Sequence, residues 1–172
     1  MKFLQHYPPT LLDQVRKLLD SQGLGPLLLR KYPSPHAVRS DRALYDFVMD
    51  LKATHLRSSD PLSKICFDGK LQTVAQALGT HTAISRVQGG KLKAKREIRV
   101  ATVFREAPEA FLRMIAVHEL AHLKEKAHDK AFYALCTHMQ PDYHQVELDV
   151  RLYLTHLDAQ GAPLWSPQLG SA

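Results

Sequence analysis

Leu112-Arg113-Met114-Ile115-Ala116-Val117-His118-Glu119-Leu120-Ala121-His122 is the stretch on which the reading of this chain turns. Apolar residues fill most of it, so it predicts a helix buried on nearly all sides. Two imidazoles four residues apart on a helix differ by only about 40° around the axis, so His118 and His122 can address one point in space. Glu119 stands beside them. With ten histidines in the chain, H-E-x-x-H arises by chance roughly 0.02 times. Burying two unpaired imidazoles in an apolar helix costs several kcal/mol, which a shared cation removes. The expectation is a metal site at His118 and His122. Zinc takes neutral ring nitrogens at about 2.0–2.1 Å, keeps an open position in catalytic sites and lowers the pKa of water there to about 7. Glu119 is then placed to act as general base.

A third protein ligand is required, and the next histidine is His128. In an unbroken helix it would lie about 9 Å beyond His122 and about 120° around the axis. His128 can therefore join only if the helix stops near Lys124–Lys126 and the chain folds back. Leu123-Lys124-Glu125-Lys126-Ala127 holds no Gly or Pro, and Asp129, as the cap of a new helix, is the one stop signal. Spacing leaves Glu147, His144, Glu125 and His138 open as substitutes. Asp142, Glu147 and Asp149 are candidates to orient a ligating ring from behind, and His81, Tyr143 and His144 to meet a developing oxyanion.

Upstream, Thr10 is expected to cap a first helix carrying Leu11, Val15, Leu18 and Leu19 up to Gly23. Gly25-Pro26 and Tyr32-Pro33-Ser34-Pro35 read as a connection, and Ser40 or Asp41 as the cap of a second helix with Leu44, Phe47, Val48 and Leu51. Lys64-Ile65-Cys66-Phe67 and Ile98–Phe104 read as strands, with Gln88-Gly89-Gly90 as a tight turn; residues 71–78 fit strand or helix equally. Pro108 suits the first turn of the histidine helix. Further helices follow, from Asp129 to Pro141 and from Tyr143 to Leu157. The expected fold is a single α+β domain over residues 1–160, with helices on a small, mainly antiparallel sheet. Residues 161–172 are expected to be loosely held, with Trp165 as an anchor.

The 172 residues, 45% of them hydrophobic and 23% charged, suffice for one packed core and exclude a disordered or fibrous chain. No apolar run approaches the length of a membrane span, and the first residues carry no apolar leader. Two cysteines make no disulfide framework, and Cys66 and Cys136 read as small buried apolar residues. A cytoplasmic protein is expected. The net charge of +6 favours an anionic partner. Lys91, Lys93 and Lys95 alternate along one strand, with Arg86 near in sequence, and could grip a polyphosphate; an exposed hairpin protected by lysines explains the same pattern. No Gly-x4-Gly-Lys-Ser/Thr loop is present.

The segments His81–Lys95, Ile98–Arg105 and His118–Tyr133 resemble the YgjP-like metallopeptidase domain family, which is related to the SprT and WLM domains. The resemblance covers most of the chain and is densest over residues 81–154. It implies a zincin-like fold and singles out His128 as the third ligand, with Phe132 as the nearby aromatic. Many members of the wider family carry a Trp-Gly-Ser-Cys-like strand where this chain has Ser85-Arg86-Val87-Gln88-Gly89-Gly90, so the substrate side is expected to differ. The resemblance implies a zinc-dependent hydrolase working through activated water at a metallopeptidase-like site, with, as the alternative, cleavage of a nucleoside triphosphate, UTP, to UMP and pyrophosphate at the same metal. The remaining reading, a basic nucleic-acid-binding domain with a structural metal, is disfavoured. Structural sites close with four protein ligands, and the basic strip lacks interleaved aromatics.

Overall fold

The structure, a computed structural model, describes residues 1–71, 80–88 and 91–167; side chains are described for residues 1–71 and 96–167. Helices α1 (Pro9–Asp20), α2 (Leu24–Lys31) and α3 (Asp41–His55) precede strand β1 (Lys64–Asp68). Strands β2 (Thr80–Gln88) and β3 (Lys91–Ala101) follow, and then α4 (Glu109–Ala121), α5 (Lys130–Met139) and α6 (Tyr143–Gln160). The α+β class is as expected.

The sheet has the order β1-β3-β2. Its β2–β3 pair is antiparallel from Thr80↔Arg99 to Gln88↔Lys91. β1 instead runs parallel to β3, from Lys64↔Glu97 to Asp68↔Ala101. The expectation of a mainly antiparallel sheet is thus corrected to a mixed one. Hairpin chemistry can be read locally, whereas a parallel neighbour arrives through a crossover that no short motif announces. The undecided residues 72–78 and the turn glycines Gly89 and Gly90 lie outside the described residues.

Alternation orients the sheet. Ile65, Phe67, Ile98 and Val100 enter the core, while Arg99 on the opposite face bridges Asp68 at 3.1 Å and Glu97 at 3.2 Å. The Phe67 amide on the outer edge of β1 donates to Asp41 Oδ1 at 2.9 Å, so the first residue of α3 covers part of that edge. Ser40 is the cap of α3, its Oγ accepting from the Ala43 amide at 3.0 Å. Three local expectations are revised. Thr10 lies inside α1, whose cap position is Pro8 with Pro9 at the first turn. Gly25-Pro26 is the start of α2 rather than a connection, because a proline in the first turn forfeits no intrahelical bond. Likewise β3 ends at Ala101, and Thr102–Phe104 form a 3-10 turn leading to α4.

From Phe111 to Ala121, every residue of α4 except Arg113 is buried. It packs against β3, α3, α5 and α6 and forms the axis of the core. Trp165 is 3% exposed; its Nε1–H donates to the Tyr32 carbonyl at 2.7 Å, and its ring meets Phe111 and Tyr153 edge-on. No helix among the described residues is long and apolar enough to cross a membrane.

Candidate metal centre

The axial position of α4 explains the state of its polar groups. His118 is buried, and desolvation, reinforced by His122, His128 and Arg151, pushes its pKa down to about 3. Its ring is neutral at physiological pH, as a metal ligand must be. Glu119 is 3% exposed, and burial pushes its carboxyl up to about 8.

α4 ends at Ala121, about one turn before the expected stop, and His122 occupies the C-cap position. The Leu123 amide donates to the Leu120 carbonyl at 3.0 Å, and the amides of Lys124 and Glu125 donate to the Ala121 carbonyl at 3.1 and 3.0 Å. His122 Nδ1–H donates to the Glu125 carbonyl at 2.9 Å. In a continuing helix that carbonyl would accept from the Asp129 amide. The ring of His122 takes its place, so the stop needs neither Gly nor Pro. Asp129 then caps α5, accepting from the Phe132 amide at 3.0 Å.

This reversal carries His128 back. His122 Nε2 and His128 Nε2 stand 3.0 Å apart, and His128 Nε2 and His118 Nε2 stand 3.2 Å apart. Among the described residues this is the one group of three ligand atoms suited to a metal ion. The fit is good. His122 Nδ1 faces a carbonyl and so keeps its proton, which leaves the lone pair on Nε2. Lone pairs aimed at one another repel unless a proton or a cation lies between them. Tetrahedral zinc at about 2.0–2.1 Å from each nitrogen sets neighbouring donors about 3.3–3.4 Å apart, close to the spacing present. Phe132 is wholly buried, its ring centroid 5.0, 4.6 and 4.9 Å from those of His118, His122 and His128. It forms an apolar floor that holds all three rings.

The substitutes for His128 lie elsewhere. Glu147 pairs with Arg151 at 3.1 Å, His144 packs on Tyr133 at 5.3 Å, His138 faces His55 at 5.7 Å, and Glu125 contributes its backbone carbonyl. The expected orienting carboxylates are also corrected. Asp149 accepts from Tyr32 Oη at 2.6 Å and from Gln145, and it pairs with Lys31, while Asp142 is the N-cap residue of α6. The group behind His118 is Tyr143, with Oη 2.7 Å from Nδ1. A buried tyrosine opening a helix after Pro141-Asp142 was the available signal, but nothing local tied it to His118. The side chains of Arg86, Lys91, Lys93, Lys95 and His81 lie outside the described residues; the register places Arg86 opposite Lys93. Cys66 and Cys136 are buried free thiols, and burial pushes Cys136 up to about 12.

Comparison with known proteins agrees with this geometry. A family model described as YgjP-like, metallopeptidase domain, matches residues 67–151, from β1 into α6. A UTP pyrophosphatase of Escherichia coli (strain K12) is 59% identical over 157 residues, covering 91% of this chain and 94% of that protein. No solved structure matches. With a relative this similar along nearly its whole length, and the three imidazoles of its H-E-x-x-H segment and following turn brought together, the chain belongs to the YgjP-like metallopeptidase domain family.

Proposed function

We propose that this metal-dependent hydrolase cleaves UTP to UMP and pyrophosphate at a single zinc ion held by Nε2 of His118, His122 and His128. The observation that carries the reading is the 59% identity, over 91% of the chain, to a protein named UTP pyrophosphatase. The site's electrostatics support it. The Nδ1 partners of His118 and His122, the Tyr143 hydroxyl and the Glu125 carbonyl, are uncharged, so these two contacts leave a dication's charge undiminished toward an anionic substrate.

A zinc ion there supplies Lewis acidity and makes water acidic enough to lose a proton near neutral pH. Glu119, buried beside His118, is the group that takes this proton. A dication nearby favours its charged form against the desolvation that otherwise raises its pKa. Oxygen from water adds to the α-phosphorus, the bond from that phosphorus to the α–β bridging oxygen breaks, and pyrophosphate leaves with that oxygen. Lys91, Lys93 and Lys95 stand at alternate positions of β3, with Arg86 paired to Lys93, and are the proposed grip on the polyphosphate. A cytoplasmic location goes with this substrate.

Peptide cleavage is the second reading, carried by the description of the matching family. One experiment separates the two. Zinc-loaded protein is incubated with UTP, other nucleoside triphosphates and unstructured peptides, alongside the Lys91→Glu/Lys93→Glu/Lys95→Glu variant. Release of UMP and pyrophosphate that charge reversal reduces at least tenfold supports the proposal. Peptide cleavage without UTP turnover overturns it, and a charge-reversed variant with full activity removes the lysines from the site.

A further inference from the structure

His55 and His138 meet near the C-terminal ends of α3 and α5, two helices that otherwise share little packing. Their ring centroids stand 5.7 Å apart with the planes at 83°. His55 is half-buried and His138 exposed, so solvent reaches both. The rings of His36, His118, His122 and His156 each pair a nitrogen with a carbonyl or hydroxyl. Among the described residues no hydrogen bond engages His55 or His138, and their nitrogens are free to ligate.

The separation suits a shared ion. Two imidazoles on one tetrahedral cation, with nitrogens at about 2.0–2.1 Å, have ring centroids about 5.2 Å apart. Within the triad the three ring pairs are 5.1, 5.0 and 4.8 Å apart. The slightly wider spacing of His55 and His138 is met by opening the angle at the metal, or closed by a small rotation of the exposed His138 ring. No third His, Cys, Asp or Glu stands close enough to share the ion among the described residues. Water or an anion therefore completes its coordination.

We propose that His55 and His138 form a second metal site, a two-histidine clamp for a divalent cation of the zinc, nickel and copper class that ties α3 to α5. Imidazole nitrogen selects these ions over magnesium and calcium. With two protein ligands against three, the clamp binds more weakly than the triad and fills when metal is in excess. It stands on its own two residues, whatever the triad holds.

The test is titration of the parent and of His122→Ala with Zn²⁺, bound metal being read by equilibrium dialysis and the imidazole Cε1–H resonances by NMR. The expected result is one zinc per chain that persists in His122→Ala and moves the His55 and His138 resonances together. His55→Ala and His138→Ala should each weaken this binding about tenfold or more, and the double variant no further than either single one, because a chelate is lost whole. Losses that add in the double variant, or two resonances that move at different zinc concentrations, identify independent surface imidazoles and overturn the clamp. Parent-like zinc binding in both single variants overturns it too, as does disappearance of all bound zinc in His122→Ala. Mg²⁺ at the same concentrations should move neither resonance, and an equal response overturns the assigned class of ion.

Discussion

The two halves of the candidate metal centre are built on different principles. His118 and Glu119 sit in a helix packed on every side, at 8% and 3% exposure, where their positions follow from the core. His128 is exposed, on a turn held by a few backbone bonds, the His122–Glu125 contact and the Asp129 cap. The first half is fixed by the packing around it. The second is a short reversal whose charged neighbours Lys124, Glu125 and Lys126 offer no packing of their own.

The largest expected effect belongs to the rigid half. Glu119→Gln removes the proposed base while keeping shape and hydrogen-bonding capacity, so turnover should fall about 10²- to 10⁴-fold with metal content unchanged. Full retained activity with stoichiometric metal would show that another group takes the proton. Phe132 joins the halves, and truncation to Ala in a wholly buried place should cost about 3–5 kcal/mol in urea unfolding and loosen all three rings. A loss below about 1 kcal/mol would mean the floor is not packed as described.

The comparison sharpens with the two end ligands. Both His118→Ala and His128→Ala should abolish stoichiometric metal binding. In the metal-free protein, however, His118→Ala strands the buried Tyr143 hydroxyl and should destabilise by about 1–3 kcal/mol, whereas His128→Ala should lie within about 0.5 kcal/mol of the parent. Equal destabilisation would erase the distinction between the halves. Matched helix caps give a finer test. Ser40→Ala and Asp129→Ala should each cost about 1 kcal/mol, and Asp129→Ala alone should weaken metal binding, because of these two caps it is the one beside a proposed ligand.

The smallest effect lies away from the site. His36 is 5% exposed, its Nε2–H donating to the Phe104 carbonyl at 2.8 Å and its Nδ1 accepting from the Val38 amide at 2.9 Å. Burial lowers its pKa, outweighing the Phe104 bond. Below about 6.5 the unfolded chain therefore binds a proton that the folded one refuses. Stability from this residue is complete above that pH and declines as pH falls toward the lowered native value. An NMR titration of the His36 ring with a midpoint at or above 6.5 would contradict this.

Much of this arrangement was legible along the chain because it is local. The H-E-x-x-H offset follows from helix geometry, the apolar residues flanking it predict burial, and Asp129 and Ser40 advertise their caps three residues ahead of the amides they accept from. The parallel seating of β1, the helical start at Gly25-Pro26 and the length of α4 were not. The last depends on a side chain taking a carbonyl that the helix would otherwise use, a competition that propensity does not register.

What the sequence by itself determined is the set of groups and their order: a buried helix presenting two imidazoles and a carboxyl, a third imidazole beyond a cap, and an excess of positive charge. Only the tertiary structure decided which groups meet. Tyr143 lies 25 residues from His118 and reaches it because α6 packs on α4; Trp165 finds the Tyr32 carbonyl across 133 residues. Periodicity records which face of an element is apolar, but the partner of a buried polar atom is chosen by packing between elements distant in the chain.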